Sequence, residues 1–148
     1  MSLNDYRFRS LWSVRAASAR VFDALVDLTS YPTWWPDIRA VRQIDDDTAE
    51  VICRSVLPYA LTFRLHRVVE DSREGRMRVD ITGDLEGYVQ GVVAEHETEG
   101  AVLAISQQVV VTKPLLRALA PIARPLFRVN HALMMRRGQR GFRAYLTG

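Results

Sequence analysis

Residues 48–83 read TAEVICRSVLPYALTFRLHRVVEDSREGRMRVDITG, and the alternation inside this stretch decides the fold class. Successive side chains of a strand point to opposite faces, so apolar residues at every second position mark a strand with one buried face. Ala49, Val51, Cys53 and Ser55 form one such set, Leu61, Phe63 and Leu65 a second, and Met77, Val79 and Ile81 a third. Turn residues separate the sets at Leu57-Pro58-Tyr59 and over Glu70 to Gly75. Folding about these turns lays the first set opposite the second, with Cys53 facing Phe63, and the second opposite Ile81, Val79 and Met77. The other face gathers Glu50, Arg54, Arg64, His66, Arg76, Arg78 and Asp80, with His66 opposite Glu50. Two hairpins that agree on one apolar and one wet face predict an antiparallel sheet, because a one-residue slip would turn every side chain over.

The same pattern continues on both sides. Further turns at Asp45-Asp46-Asp47, Gly83-Asp84 and Glu97 to Gly100 divide Ile38 to Thr112 into a six-strand meander. Its last hairpin, Tyr88 to Ala94 with Leu103 to Val111, is apolar on both sides, so the pattern does not orient it. Upstream, Tyr6, Phe8, Ser10, Trp12 and Val14 alternate with Arg7, Arg9, Leu11 and Ser13 as a half-buried strand. Ser18 is placed to cap a helix over Ala19 to Leu28, which Pro32 and Pro36 end in a compact turn. Downstream, Leu115 to Ala120 reads as a short apolar helix. A long helix begins at Pro121 or Pro125 and runs to about Leu146. At 100° per residue its inward side is Phe127, Asn130, Met134, Gly138, Gly141 and Tyr145, flanked by Leu126, Leu133 and Phe142, with Arg128, Arg136, Arg140 and Arg143 opposite. The order is β-α-β6-α, an α+β chain whose seven-stranded antiparallel sheet curls around the last helix to cover its apolar face.

Composition bounds the alternatives. With 148 residues, 48% hydrophobic and 25% charged, the chain suits one domain, spanning 1–148, and not a fibrous, disordered or membrane-spanning class. The single cysteine, Cys53, and the charged start of the chain predict a reducing, cytoplasmic setting without a signal peptide. The net charge of +3 conceals a polarity: residues 113–148 carry eight basic and no acidic side chains, and residues 1–112 a net −5.

In this order of elements the chain resembles the START-like helix-grip superfamily, specifically its bacterial polyketide cyclase/dehydrase and lipid-transport branch. The resemblance covers nearly the whole chain. It rests on Tyr31-Pro32-x-Trp34-x-Pro36-x-Ile38, on Gly83-Asp84-Leu85-x-Gly87, and on Asn130 to Gly138 with Gly141-Phe142. It implies a cavity between the curved sheet and the last helix that holds an apolar small molecule such as a lipid, quinone or polyketide-like ring system. Lipid carriers, aromatases and cyclases share that fold, so the fold alone does not name an activity.

The residues expected to line the cavity are Phe8, Ser10, Trp12, Cys53, Ser55, Phe63, Leu65, Val79, Tyr88, Phe127, Asn130, Met134 and Gly138. One of Trp34 and Trp35 is expected to pack and the other to gate the mouth. Gly138 and Gly141 are expected to leave the helix face unfilled, and Arg67 to stand at the rim, as an acid-binding or an ordinary snorkelling arginine. No Gly-rich phosphate loop, HExxH or Cys-x-x-Cys occurs, so neither a cofactor nor a metal is expected. Asn130 and His131 are the candidates for catalysis, His131 standing otherwise as a partly buried histidine bonded to a backbone carbonyl; His96 lies beside a turn. Three functions follow: a binder or carrier of an apolar ligand, a cyclase, aromatase or dehydratase, and a module whose basic helix contacts an anionic membrane or RNA. Nucleic acid is the less expected partner.

Overall fold

The computed structural model describes residues 4–54, 59–95 and 100–147. Strand β1 (Asp5–Val14) leads into helix α1 (Ser18–Val26), a 3-10 turn (Leu28–Ser30) and the short helix α2 (Tyr31–Trp34). Six strands follow: β2 (Ile38–Gln43), β3 (Thr48–Arg54), β4 (Ala60–Asp71), β5 (Arg76–Gly83), β6 (Leu85–Glu95) and β7 (Ala101–Val111). Helices α3 (Pro114–Ala118) and α4 (Ala120–Thr147) close the chain. All seven strands form one antiparallel sheet in the order β1-β7-β6-β5-β4-β3-β2, with α1 against β6 and β7 and the long helix across its concave face.

Alternation does what it predicts in the quoted stretch. Ala49, Val51 and Cys53 face Leu65, Phe63 and Leu61 across β3 and β4. Cys53 therefore opposes Leu61, not Phe63, and His66 opposes Thr48, whose hydroxyl lies 3.0 Å from its Nδ1, not Glu50. Between β4 and β5 the faces are as expected but the register is displaced. Leu65 faces Ile81 and Phe63 faces Gly83, because an irregularity between Arg67 and Val69 and a turn held by the Asp71 carboxylate place the hairpin bend later. The undecided hairpin is oriented by its neighbours. Val89, Gly91 and Val93 on β6 and Leu103, Ile105, Gln107 and Val109 on β7 face inward, in step with Tyr6 and Trp12 on β1.

The first helix differs from its expected bounds. Ala17, not Ser18, stands at the N-cap, and the Ser18 hydroxyl instead donates to Glu95 across 3.3 Å. The helix stops at Val26, and Pro32 opens a second helix in its first turn, where a missing N–H costs nothing. The long helix is rotated from its expected setting. Phe127, His131, Met135, Phe142 and Leu146 are buried, whereas Leu126, Leu133 and Tyr145 are exposed.

The cause is the close approach of α2 to α4. The Trp34-Trp35 pair stacks at 5.5 Å between ring centroids, and Trp34 packs on Phe142 at 5.0 Å. The Trp35 indole N–H donates to the Met134 carbonyl at 3.0 Å. A Cβ on Gly138 would stand 2.5 Å from the Trp35 ring, and one on Gly141 would collide with the Trp34 carbonyl. These two glycines thus admit the tryptophan turn and do not leave an unfilled helix face. Beside them Asp37, 2% exposed, receives Arg137 in a two-pronged pair, Nε to Oδ1 at 2.8 Å and Nη2 to Oδ2 at 2.6 Å.

Gly141→Ala is expected to cost ~2–3 kcal/mol, because neither backbone can retreat, and a thermal melt should fall by roughly 5–10 °C. Arg137→Met strands a buried carboxylate and should cost ~3 kcal/mol in urea unfolding. Adding Asp37→Asn should recover part of that loss, since an unpaired amide is cheaper to bury than an unpaired charge.

Candidate functional site

A cavity of ≈ 160 Å³ lies between the sheet and α4. Its sheet wall alternates down five strands: Val51 and Cys53, Phe63 and Leu65, Val79 and Ile81, Val89 and Gly91, then Leu103 and Ile105. Trp12, Trp34 and Trp35 line it too, with Phe127, Met134 and Met135 from the helix. The wall is almost wholly apolar because each strand presents alternate residues to it.

Polar groups gather where β7 meets α4. Gln107, Asn130 and His131 all line the cavity. His131 Nε2 lies 3.0 Å from Gln107 Oε1, and the imidazole stacks on Phe8 with ring centroids 3.6 Å apart. With Gln107 accepting, the ring is the Nε2–H tautomer. Its partner is thus a side-chain amide and not a backbone carbonyl. Gln107 carries no signal in a hairpin apolar on both sides; only the register with β1 turns it inward. Burial pushes the His131 pKa down to about 4, so the ring is neutral at pH 7. Burial also pushes the Cys53 thiol up to about 12, which keeps it protonated, and its Sγ rests 3.6 Å from Met134 Sδ. Tyr31, another wall residue, is likewise held protonated by burial while its hydroxyl donates to the Leu25 carbonyl. The Trp34 indole N–H is buried with no acceptor among the described residues.

Other expected wall residues stand elsewhere. Phe8 and Ser10 line a separate depression between β1 and α4, since α4 with His131 covers them from the cavity side. Tyr88 is on the outer face, opposite Asp80, with the Arg78 guanidinium 4.1 Å over its ring. Arg67 is drawn out of the cavity by Asp47 at 2.5 Å and Glu70 at 3.1 Å. Gly138 is covered by Trp35, and both tryptophans pack on the helix, so neither is set apart as a gate. Asp84 accepts the Thr62 N–H near the start of β4 and pairs with Lys113. Ser55 and His96 lie outside the described residues. Among the described residues no group of three or more metal-ligating side chains occurs.

A curved seven-stranded sheet closed over a long C-terminal helix, with a Trp-Pro turn seated on that helix, fixes the architecture. The chain has the START-like helix-grip fold. No protein-family model matches its sequence, and no curated protein matches it significantly. Solved helix-grip structures do. The Zhui aromatase/cyclase from a Streptomyces species is similar with a TM-score of 0.77 at 13% identity, over 96% of this chain and 93% of that one. The di-domain aromatase/cyclase StfQ of the steffimycin biosynthetic pathway gives 0.70 at 15% identity, over 97% of this chain and 51% of that one. Ara h 8.0201 gives 0.69 at 13% identity, over 96% and 97%. At these identities the likeness is one of fold.

The buried imidazole makes stability depend on pH. Between pH 6.5 and about 4 the unfolded chain binds a proton that the folded ring refuses, so stability falls as pH is lowered through that window, by up to ~3 kcal/mol. Urea unfolding at the two ends of the window should show this loss, and His131→Gln should flatten it. An unchanged pH dependence in that variant would remove the assignment.

Proposed function

We propose that the protein is a single-domain binder or carrier of a compact apolar molecule, one or two rings in size with one polar end, held between the sheet and α4. One observation carries this reading: the cavity lining is mainly apolar, with Gln107, Asn130 and His131 gathered on one side and Tyr31, Tyr59 and Cys53 adding two hydroxyls and a thiol. A dry apolar cavity of about 150 Å³ takes benzene, which sets the scale of the ligand. A long-chain lipid would require the walls to part; a quinone-like or polyketide-like ring system would not. Apolar walls supply the affinity by burying ligand surface, at about 25 cal/mol per Å². The polar cluster orients the ligand, Gln107 and Asn130 offering amide groups to a carbonyl or hydroxyl. The buried Trp34 N–H is a further donor for a ligand oxygen. A reducing, cytoplasmic setting suits the free thiol.

The aromatase/cyclase neighbours favour a second reading, an enzyme that folds a reactive polyketide chain and moves protons through Asn130 and His131. It requires a group that gains and loses a proton near neutral pH. His131, with a pKa of about 4, and Cys53, at about 12, are both poor at that task. Binding is therefore the better-supported role, with shape and hydrogen bonding doing the recognition.

Native mass spectrometry of protein purified from its own host should retain a small ligand. Titration with 2-naphthol, followed by its fluorescence, should show saturable binding that Val79→Phe weakens roughly tenfold or more by filling the wall. No retained ligand, together with equal naphthol affinity in both proteins, would overturn the reading.

A further inference from the structure

The outer face of α4 is as ordered as its inner one. Ile122, Leu126, Val129 and Leu133 recur at spacings of four, three and four, and each is exposed, Ile122 by 70% and Val129 by 60%. At 100° per residue they fall within about 60° of one another, directly opposite the buried Phe127, His131 and Phe142. Leu115 on α3 and Leu119 just after it are exposed as well. Beyond Leu133 the same face changes character: Arg136 and Arg140 continue it, both exposed and neither in an ion pair among the described residues. No acidic side chain occurs anywhere in residues 113–148.

We propose that this face, the aliphatic stripe of Ile122, Leu126, Val129 and Leu133 continued by Arg136 and Arg140, docks on the surface of an anionic lipid bilayer. The inference stands on the outer surface alone and does not depend on what fills the cavity.

Charge and side-chain chemistry select this occupant. A helix with an aliphatic face and uncompensated arginines lies in the interfacial plane of a membrane, apolar side chains below the headgroups and guanidinium groups among the phosphates. A second copy of the chain fits poorly. If this face met its own equivalent in a two-fold dimer, arginines would face arginines, since residues 113–148 carry no acidic side chain to pair with them. A protein partner of another kind fits less well than lipid. The stripe consists of Leu, Ile and Val with no aromatic, Met or hydrogen-bonding side chain to act as an anchor. RNA would find no ring to stack on there. Among the described residues no helix is long and apolar enough to cross a membrane, so the contact is a peripheral one.

Co-sedimentation of the full chain with vesicles tests the proposal. Phosphatidylcholine vesicles containing one third phosphatidylglycerol should pull the protein down at low salt, and pure phosphatidylcholine should do so far less. Leu126→Glu with Val129→Glu should cut the bound fraction roughly tenfold or more. Arg136→Gln with Arg140→Gln should weaken binding by roughly fivefold for each arginine removed and reduce its salt dependence. All four side chains are exposed, and circular dichroism melts matching the parent would show that the fold persists. The proposal is overturned if the parent ignores anionic vesicles at low salt, if the paired glutamates leave binding unchanged, or if sedimentation equilibrium shows a dimer that the glutamates dissociate while vesicle binding is absent.

Discussion

The arrangement depends on the seat that α4 provides for the tryptophan turn. Two residues without side chains, Gly138 and Gly141, let the Trp34 backbone and the Trp35 ring reach the helix axis more closely than any other residue type would permit. Trp35 then bonds to the Met134 carbonyl, and Arg137 closes on Asp37 just past the turn. These contacts fix the rotation of the helix about its own axis. That rotation determines which residues face the sheet and hence the wall of the cavity. It also determines what the outside shows, because burying Phe127, His131 and Phe142 obliges the stripe from Ile122 to Leu133 to face away.

Legibility in the sequence followed how local the deciding force was. Strand faces from Ala49 to Ile81 were readable because alternation is a property of each strand by itself. Pairing partners were less so: the turn held by the Asp71 carboxylate centres the hairpin later than the pattern of faces suggests, so Leu65 met Ile81 rather than Met77. The hairpin of β6 and β7 had no wet side to read, and its orientation came from β1, a partner distant in sequence. The helix stripe was misplaced for a related reason. Leu126 and Leu133 are as apolar as Met135 and Phe142, and only the tryptophan seat separates the two sets. The sequence assigned Arg137 to neither face of the helix, since nothing near it in sequence announces the buried Asp37.

The basic terminal segment also resolves into distinct duties. Arg117, Arg124 and Arg143 donate to backbone carbonyls of Val111, Asp5 and Ser13, fastening α3 and α4 to the strands beneath. Arg137 is held by Asp37 and Lys113 lies near Asp84. Much of the charge excess is thereby structural, linking a positive segment to a body that is net negative. Arg136 and Arg140 are exempt from that work, and their neighbours along the helix face are aliphatic.

The sheet order carries a consequence for how the chain is made. The first of the seven strands, β1, pairs only with β7, Tyr6 lying opposite Val109, while its successor β2 forms the far edge. During translation β2 to β6 can zip together as neighbours, each hairpin forming as its second strand leaves the ribosome. β1 waits through all of this with an unpaired backbone and exposed Tyr6, Phe8 and Trp12, a sticky edge held until the last strand arrives. Its closure against β7 joins the first strand to the last, a contact of high sequence separation whose loop-closure cost local pairings do not share.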